Sequence, residues 1–118
     1  MLRQRLVCIK VIANYTTQLA DCLAAGIIPV VIGILPRTTN TTAQARGVDT
    51  VNAWLRSHLA AYNGINAIDA VTTAFGIFRA GGDVGTLWDM NASLTSDGTH
   101  PNLAGQTVEA NAVLSVLP

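Results

Sequence analysis

The stretch Ser96-Asp97-Gly98-Thr99-His100-Pro101-Asn102 combines residue types that do chemistry at a spacing that lets them meet. An Asp and a His three positions apart across a Gly-containing turn bring a carboxylate within hydrogen-bond reach of an imidazole. A carboxylate so placed holds one ring nitrogen and leaves the other free to take a proton from a nucleophile. That makes His100 a general base and Asp97 the acid that orients it. The same residues also form ordinary turns and caps: Asp97-Gly98 as a turn dipeptide, Asn102 as a helix N-cap, His100 as a surface side chain. From these few residues alone that plainer reading is the stronger.

Other candidates carry less. A nucleophile would have to come from Ser57, Ser93, Ser96 or Ser115, and none lies in a strand-to-helix turn that would expose its hydroxyl. Trp54 and His58 stand one helical turn apart beside an apolar stripe and read as a core aromatic and a helix-face histidine. Trp88, with Gly81-Gly82 and Met90 nearby, either walls a substrate pocket or simply covers core. The two histidines are 42 positions apart among scattered carboxylates, which is no metal-ligand spacing, and no cofactor is implied. Cys8 and Cys22 are too few for a disulfide framework and read as small buried hydrophobes.

The elements that must position these residues come from an apolar chain. Of 118 residues 50% are hydrophobic and 12% charged, and seven basic residues balance seven acidic ones. Such a chain buries a core, and it forms one domain over residues 1–118. Arg3, Arg5 and Lys10 are the one basic cluster, too small to track a nucleic-acid backbone. The longest uncharged apolar run, Leu23 to Leu35, contains Gly26, Pro29 and Gly33 and stops at Pro36-Arg37, so no membrane span is expected. The opening residues start basic, but Lys10 interrupts the apolar stretch and no targeting segment is read there. Asn-x-Ser/Thr triplets at Asn14, Asn40 and Asn91 carry little weight in a chain rich in Asn and Thr. The compartment stays open.

Ile12, Tyr15, Leu19, Cys22 and Leu23 repeat at helical spacing, predicting a helix from Ile9 to Leu23 that Gly26 closes. Ile27 to Leu35 is β-branched without alternation, as in a strand covered on both faces of a parallel sheet. A second helix carries Val48, Val51, Leu55, Leu59 and Tyr62 on one stripe, opposite Arg46, Asp49, Asn52 and Arg56, and ends at Asn63-Gly64. Ile65 to Ala70 predicts a short strand with Asp69 at its end, and Val71 to Arg79 a helix. A closing helix from Asn102 to Leu117 is expected to use Leu103, Ala110, Val113, Leu114 and Leu117 as its apolar stripe. Helix, strand, helix, strand, helix reads as an α/β fold with parallel strands. Two strands make a poor parallel sheet, so the edge of Ile27 to Leu35 is expected to be covered by another copy, another chain or an absent N-terminal portion.

This order resembles the C-terminal half of the SGNH, or GDSL-type, serine hydrolases over about Ile12 to Leu117. The matching pieces are Ile27 to Arg37, Val48 to Tyr62, Ile65 to Asp69, Ser96 to Asn102, and Gly105, with Asp-x-x-His the specific part. The resemblance implies a three-layer α/β/α, flavodoxin-like parallel sheet, present here as an incomplete C-terminal portion. It also implies ester cleavage by acyl transfer on a lipid or carbohydrate substrate, with His100 as triad base and Asp97 as triad acid. Asp69 matches a strand-end carboxylate belonging to loop structure. The Gly-Asp-Ser nucleophile and the Gly-x-Asn oxyanion donors of that family are not found in these residues. A non-catalytic α/β module that self-associates through its strand edge, binding a partner near Trp88 and His100, is the alternative.

Overall fold

The computed structural model describes residues 2–35, 37, 41–75, 78–79, 88–89 and 91–118. Helix α1 (Leu2–Ala24) begins well before Ile9. It closes as its amphipathic pattern requires: Gly26 adopts φ +70°, Gly26 N–H donates to Leu23 O at 3.2 Å and Ile27 N–H to Cys22 O at 2.9 Å. That pair of bonds satisfies the last carbonyls of the helix at the one residue type without a left-handed penalty. Helix α2 (Thr42–His58) opens on a reciprocal cap. Gln44 N–H donates to Thr41 Oγ1, and Thr41 N–H donates to Gln44 Oε1 at 2.8 Å. A 3-10 turn (Leu59–Tyr62) and left-handed Asn63 then end it, as Asn63-Gly64 predicts.

Strand β1 (Val30–Val31) pairs in parallel with β2 (Ile65–Asn66), Val30 opposite Ile65 and Val31 opposite Asn66. Helix α3 (Ile68–Ala74) follows at once. Strands β3 (Phe78–Arg79) and β4 (Trp88–Asp89) form a separate antiparallel pair. A short 3-10 turn (Ala92–Leu94) and the loop 95–101 lead into α4 (Leu103–Val116).

The expected three-layer parallel sheet is therefore overturned: the chain is mostly helical, and its only described parallel strands are the two residues each of β1 and β2. The physical reason lies at Gly33 and Asn52. Gly33 turns left-handed at φ +70°, and the Asn52 side chain then takes both backbone groups of Ile34, accepting from its N–H at 2.8 Å and donating to its carbonyl at 3.0 Å. Ile34 thus hydrogen-bonds to a helix side chain where a longer strand would bond to a neighbour. Nor is Ile27 to Leu35 covered on both faces along its length, since Ile27 and Ile28 are about 60% exposed. Phe78 and Arg79 lie in β3 rather than in a helix reaching Arg79.

Among the described residues two apolar clusters do the packing. Leu19, Val51, Leu55, Leu59 and Ile68 form one between α1 and α2, joined by Val31 and Ile34. Ala67, Val71, Phe75 and Ala112 form the other between α3 and α4, joined by Ile32 and Leu35. The chain from 31 to 35 is the partition between them. Helix α4 packs on a face that shares Val113 with the stripe its sequence suggests but otherwise differs: Gly105 and Ala112 are buried, while Leu103, Leu114 and Leu117 are exposed. The loop before α4 demands contact on the Gly105 side, and small residues allow it. Among the described residues no helix is long and apolar enough to cross a membrane.

Candidate active site

The loop between the 3-10 turn and α4 is closed at its base by an antiparallel bridge between Thr95 and Pro101. Asn102 then caps α4, its Oδ1 accepting from Gly105 N–H at 2.9 Å while its Nδ2 donates to Ser93 O at 3.1 Å. Cap and loop are thus one unit. Gly105 is part of it, because a Cβ there would strike Leu94 O and come within 2.9 Å of the Pro101 Cβ.

On this frame Asp97 and His100 meet. Asp97 Oδ1 accepts the backbone N–H groups of Thr99 and His100, both at 2.8 Å, and Oδ2 lies 2.7 Å from His100 Nδ1. The hydrogen bond from the imidazole, followed by the two backbone donors, holds the Asp97 carboxyl well below the usual carboxylate range. An ionised carboxylate only accepts, so Nδ1 must carry the proton. On a neutral ring the lone pair then sits on Nε2. The His100 side chain is 79% exposed and that of Asp97 52%, so the pair stands open to solvent.

The remaining candidates fall elsewhere. His58 stacks on Trp54, centroids 4.3 Å apart, and its Nδ1 lies 2.7 Å from the Trp54 carbonyl oxygen and 2.9 Å from Ser57 Oγ. A carbonyl oxygen only accepts, so Nδ1 is the donor there and cannot deprotonate Ser57. Ser93 donates to Asn91 Oδ1 and Ser115 to Ala112 O. Ser96, in the loop itself, is exposed. Asp69 sits in the first turn of α3, where Arg56 Nε donates to it at 2.8 Å. Trp88 belongs to β4, but its side chain, like Gly81, Gly82 and Met90, lies outside the described residues. Cys8 and Cys22 are unpaired and half-buried. Among the described residues no three His, Cys, Asp or Glu side chains gather to hold a metal ion.

No family model, curated protein or solved structure matches the chain. The likeness to SGNH hydrolases thus rests on the residues of this chain alone.

Sequence reasoning missed two residues that the geometry puts to use. Thr95 is buried, accepts from Gly98 N–H at 3.0 Å and donates to His100 O at 2.7 Å. Its signal was local: a Thr three residues before a Gly, at the head of Ser-Asp-Gly, is placed to bond that N–H. Asn52 had no such signal, since an Asn on the polar side of a helical stripe reads as solvated.

Proposed function

We propose that the chain carries the acid–base half of an SGNH-type serine hydrolase site that cleaves carboxylic esters by acyl transfer. The 2.7 Å bond between Asp97 Oδ2 and His100 Nδ1 carries this reading. A serine hydroxyl from outside these residues attacks the ester carbonyl, and His100 Nε2 accepts its proton. The resulting imidazolium, stabilised by Asp97, donates that proton to the departing alcohol. Water then repeats the sequence on the acyl-serine, with His100 again as base. Donors to the oxyanion come, like the serine, from outside this chain.

The test is a fluorophosphonate probe, which labels activated serines, applied to the native protein with any chain that co-purifies, alongside hydrolysis of p-nitrophenyl acetate. Labelling and hydrolysis are both expected, each falling by roughly 10³-fold or more in His100→Ala. Absence of a labelled serine, or labelling indifferent to His100, would overturn the proposal. The second reading, a self-associating module, is favoured by the exposure of Ile27, Ile28 and Val30 beside β1. It requires a discrete dimer with no labelled serine, read as native mass against the 12.4 kDa chain.

A further inference from the structure

Besides Asp97 itself, the turn that carries Asp97 and His100 is tied by a side chain that makes no contact with the imidazole ring. Thr95 enters the loop at its base, paired across to Pro101, and is 8% exposed. Its hydroxyl has one proton to give. The His100 carbonyl, at 2.7 Å, takes it in preference to Asp97 Oδ1, at 3.4 Å. Thr95 Oγ1 also accepts the N–H of Gly98, the left-handed residue at φ +75° around which the turn reverses. Thr95 therefore grips both limbs of the turn: the peptide after Asp97 through Gly98 N–H, and the backbone of His100 through its carbonyl.

Without that grip, the Asp97 carboxylate still has its two backbone donors and the loop its bridge at Pro101, but the His100 carbonyl loses the side-chain donor that holds it from the other side. The ring then samples other rotamers, since an exposed histidine loses little by leaving one hydrogen bond for water. We infer that Thr95 is the positioning residue of this site, its buried hydroxyl setting the backbone angle at which His100 presents Nδ1 to Asp97 and Nε2 to solvent. The assignment rests on His100 being the base of the proposed site, but its geometric content stands apart from any ester chemistry.

The experiment is NMR of the His100 ring nitrogens in the full chain at about pH 9, where imidazole is neutral. In the wild-type protein Nδ1 is expected to carry the proton and Nε2 the lone pair. Thr95→Val, close in shape but without the hydroxyl, is expected to lose that tautomer, with the two forms averaging, while the helical circular dichroism stays in place. Thr95→Ser restores the hydroxyl and is expected to restore the tautomer. A Thr95→Val protein that keeps the Nδ1–H form overturns the inference, as does a Thr95→Ser protein that loses it. Should Thr95→Val fail to fold, hydrogen exchange in the wild type decides: the Gly98 amide must be protected comparably with the His100 amide, and a Gly98 amide exchanging freely overturns the inference. The readout needs no serine and no ester, so a failed fluorophosphonate test leaves it intact, and a Thr95→Val protein that keeps the Nδ1–H form while the wild type labels counts against Thr95 alone.

Discussion

Three hydrogen bonds converge on the Asp97 carboxylate, one from the His100 ring and two from backbone N–H groups, and all three favour its ionised form. Its pKa is lowered on folding, so its contribution to the order of the loop is fully present above the unfolded value. That contribution is lost only as pH falls through the lower folded value. The Asp97 side-chain carboxyl carbon, followed by NMR, is expected to titrate with a midpoint clearly below ~3.9, the unperturbed value for Asp. A midpoint at or above that value would mean that the bonds to His100 and Thr99 do not persist in solution. The proton on Nδ1 is a consequence of the same ionisation, because an ionised carboxylate only accepts. The pair itself was legible in the sequence, because residues three apart across a turn have few geometries available. The hydroxyl of Thr95 behind it was less so, because whether a threonine faces its own loop or the solvent depends on what packs over it.

At the scale of the elements, two small residues and two asparagines decide where things stop. Asn52 is 5% exposed and holds both backbone groups of Ile34. Asn52→Leu is expected to lower stability by about 1–3 kcal/mol in urea unfolding, because it strands the Ile34 N–H and C=O beneath α2. A neutral result would mean that Ile34 finds other partners and that the strand end is not set by this clamp. Gly105 lets α4 approach the backbone of Leu94 and the ring of Pro101. Gly105→Ala meets a carbonyl, not the yielding tip of a side chain, and is expected to cost about 1–3 kcal/mol in thermal unfolding. An unchanged melting temperature would refute the close approach. Helix positions in α1 and α2 follow the apolar spacing, and their ends follow Gly26, Thr41 and Asn63. The apolar spacing in α4 found Val113 but missed Gly105 and Ala112, because Leu103, Leu114 and Leu117 are more hydrophobic than those two, whereas contact with the loop selects for smallness.

Over the whole molecule, the two apolar clusters meet at the segment from Val31 to Leu35 and at Ala67-Ile68. Among the described residues Phe75 is the largest fully buried side chain, and its cluster includes Leu94, the residue before Thr95. Phe75→Ala is expected to cost about 3–5 kcal/mol on chemical denaturation. That is a large share of the ~5–15 kcal/mol typical of small domains. A loss below ~1 kcal/mol would show that the α3–α4 cluster collapses around the gap and does not support the loop rigidly. The ion pair of Arg56 with Asp69, by contrast, contributes little in water, because both partners are exposed to solvent.

The sequence by itself determined what depends on neighbours along the chain: the α1 and α2 stripes, the Gly26 and Asn63-Gly64 that close them, and the three-residue spacing that lets Asp97 and His100 meet across a turn. Only the tertiary structure decided what depends on distant partners. The β-branched run after Gly26 is compatible with a long sheet strand, yet Asn52, eighteen residues beyond Ile34, claims the backbone of Ile34 and ends the ladder after Val31. The buried face of α4 was settled by how closely Leu94 and Pro101 approach Gly105, and no periodicity within one helix records the shape of what will lie against it.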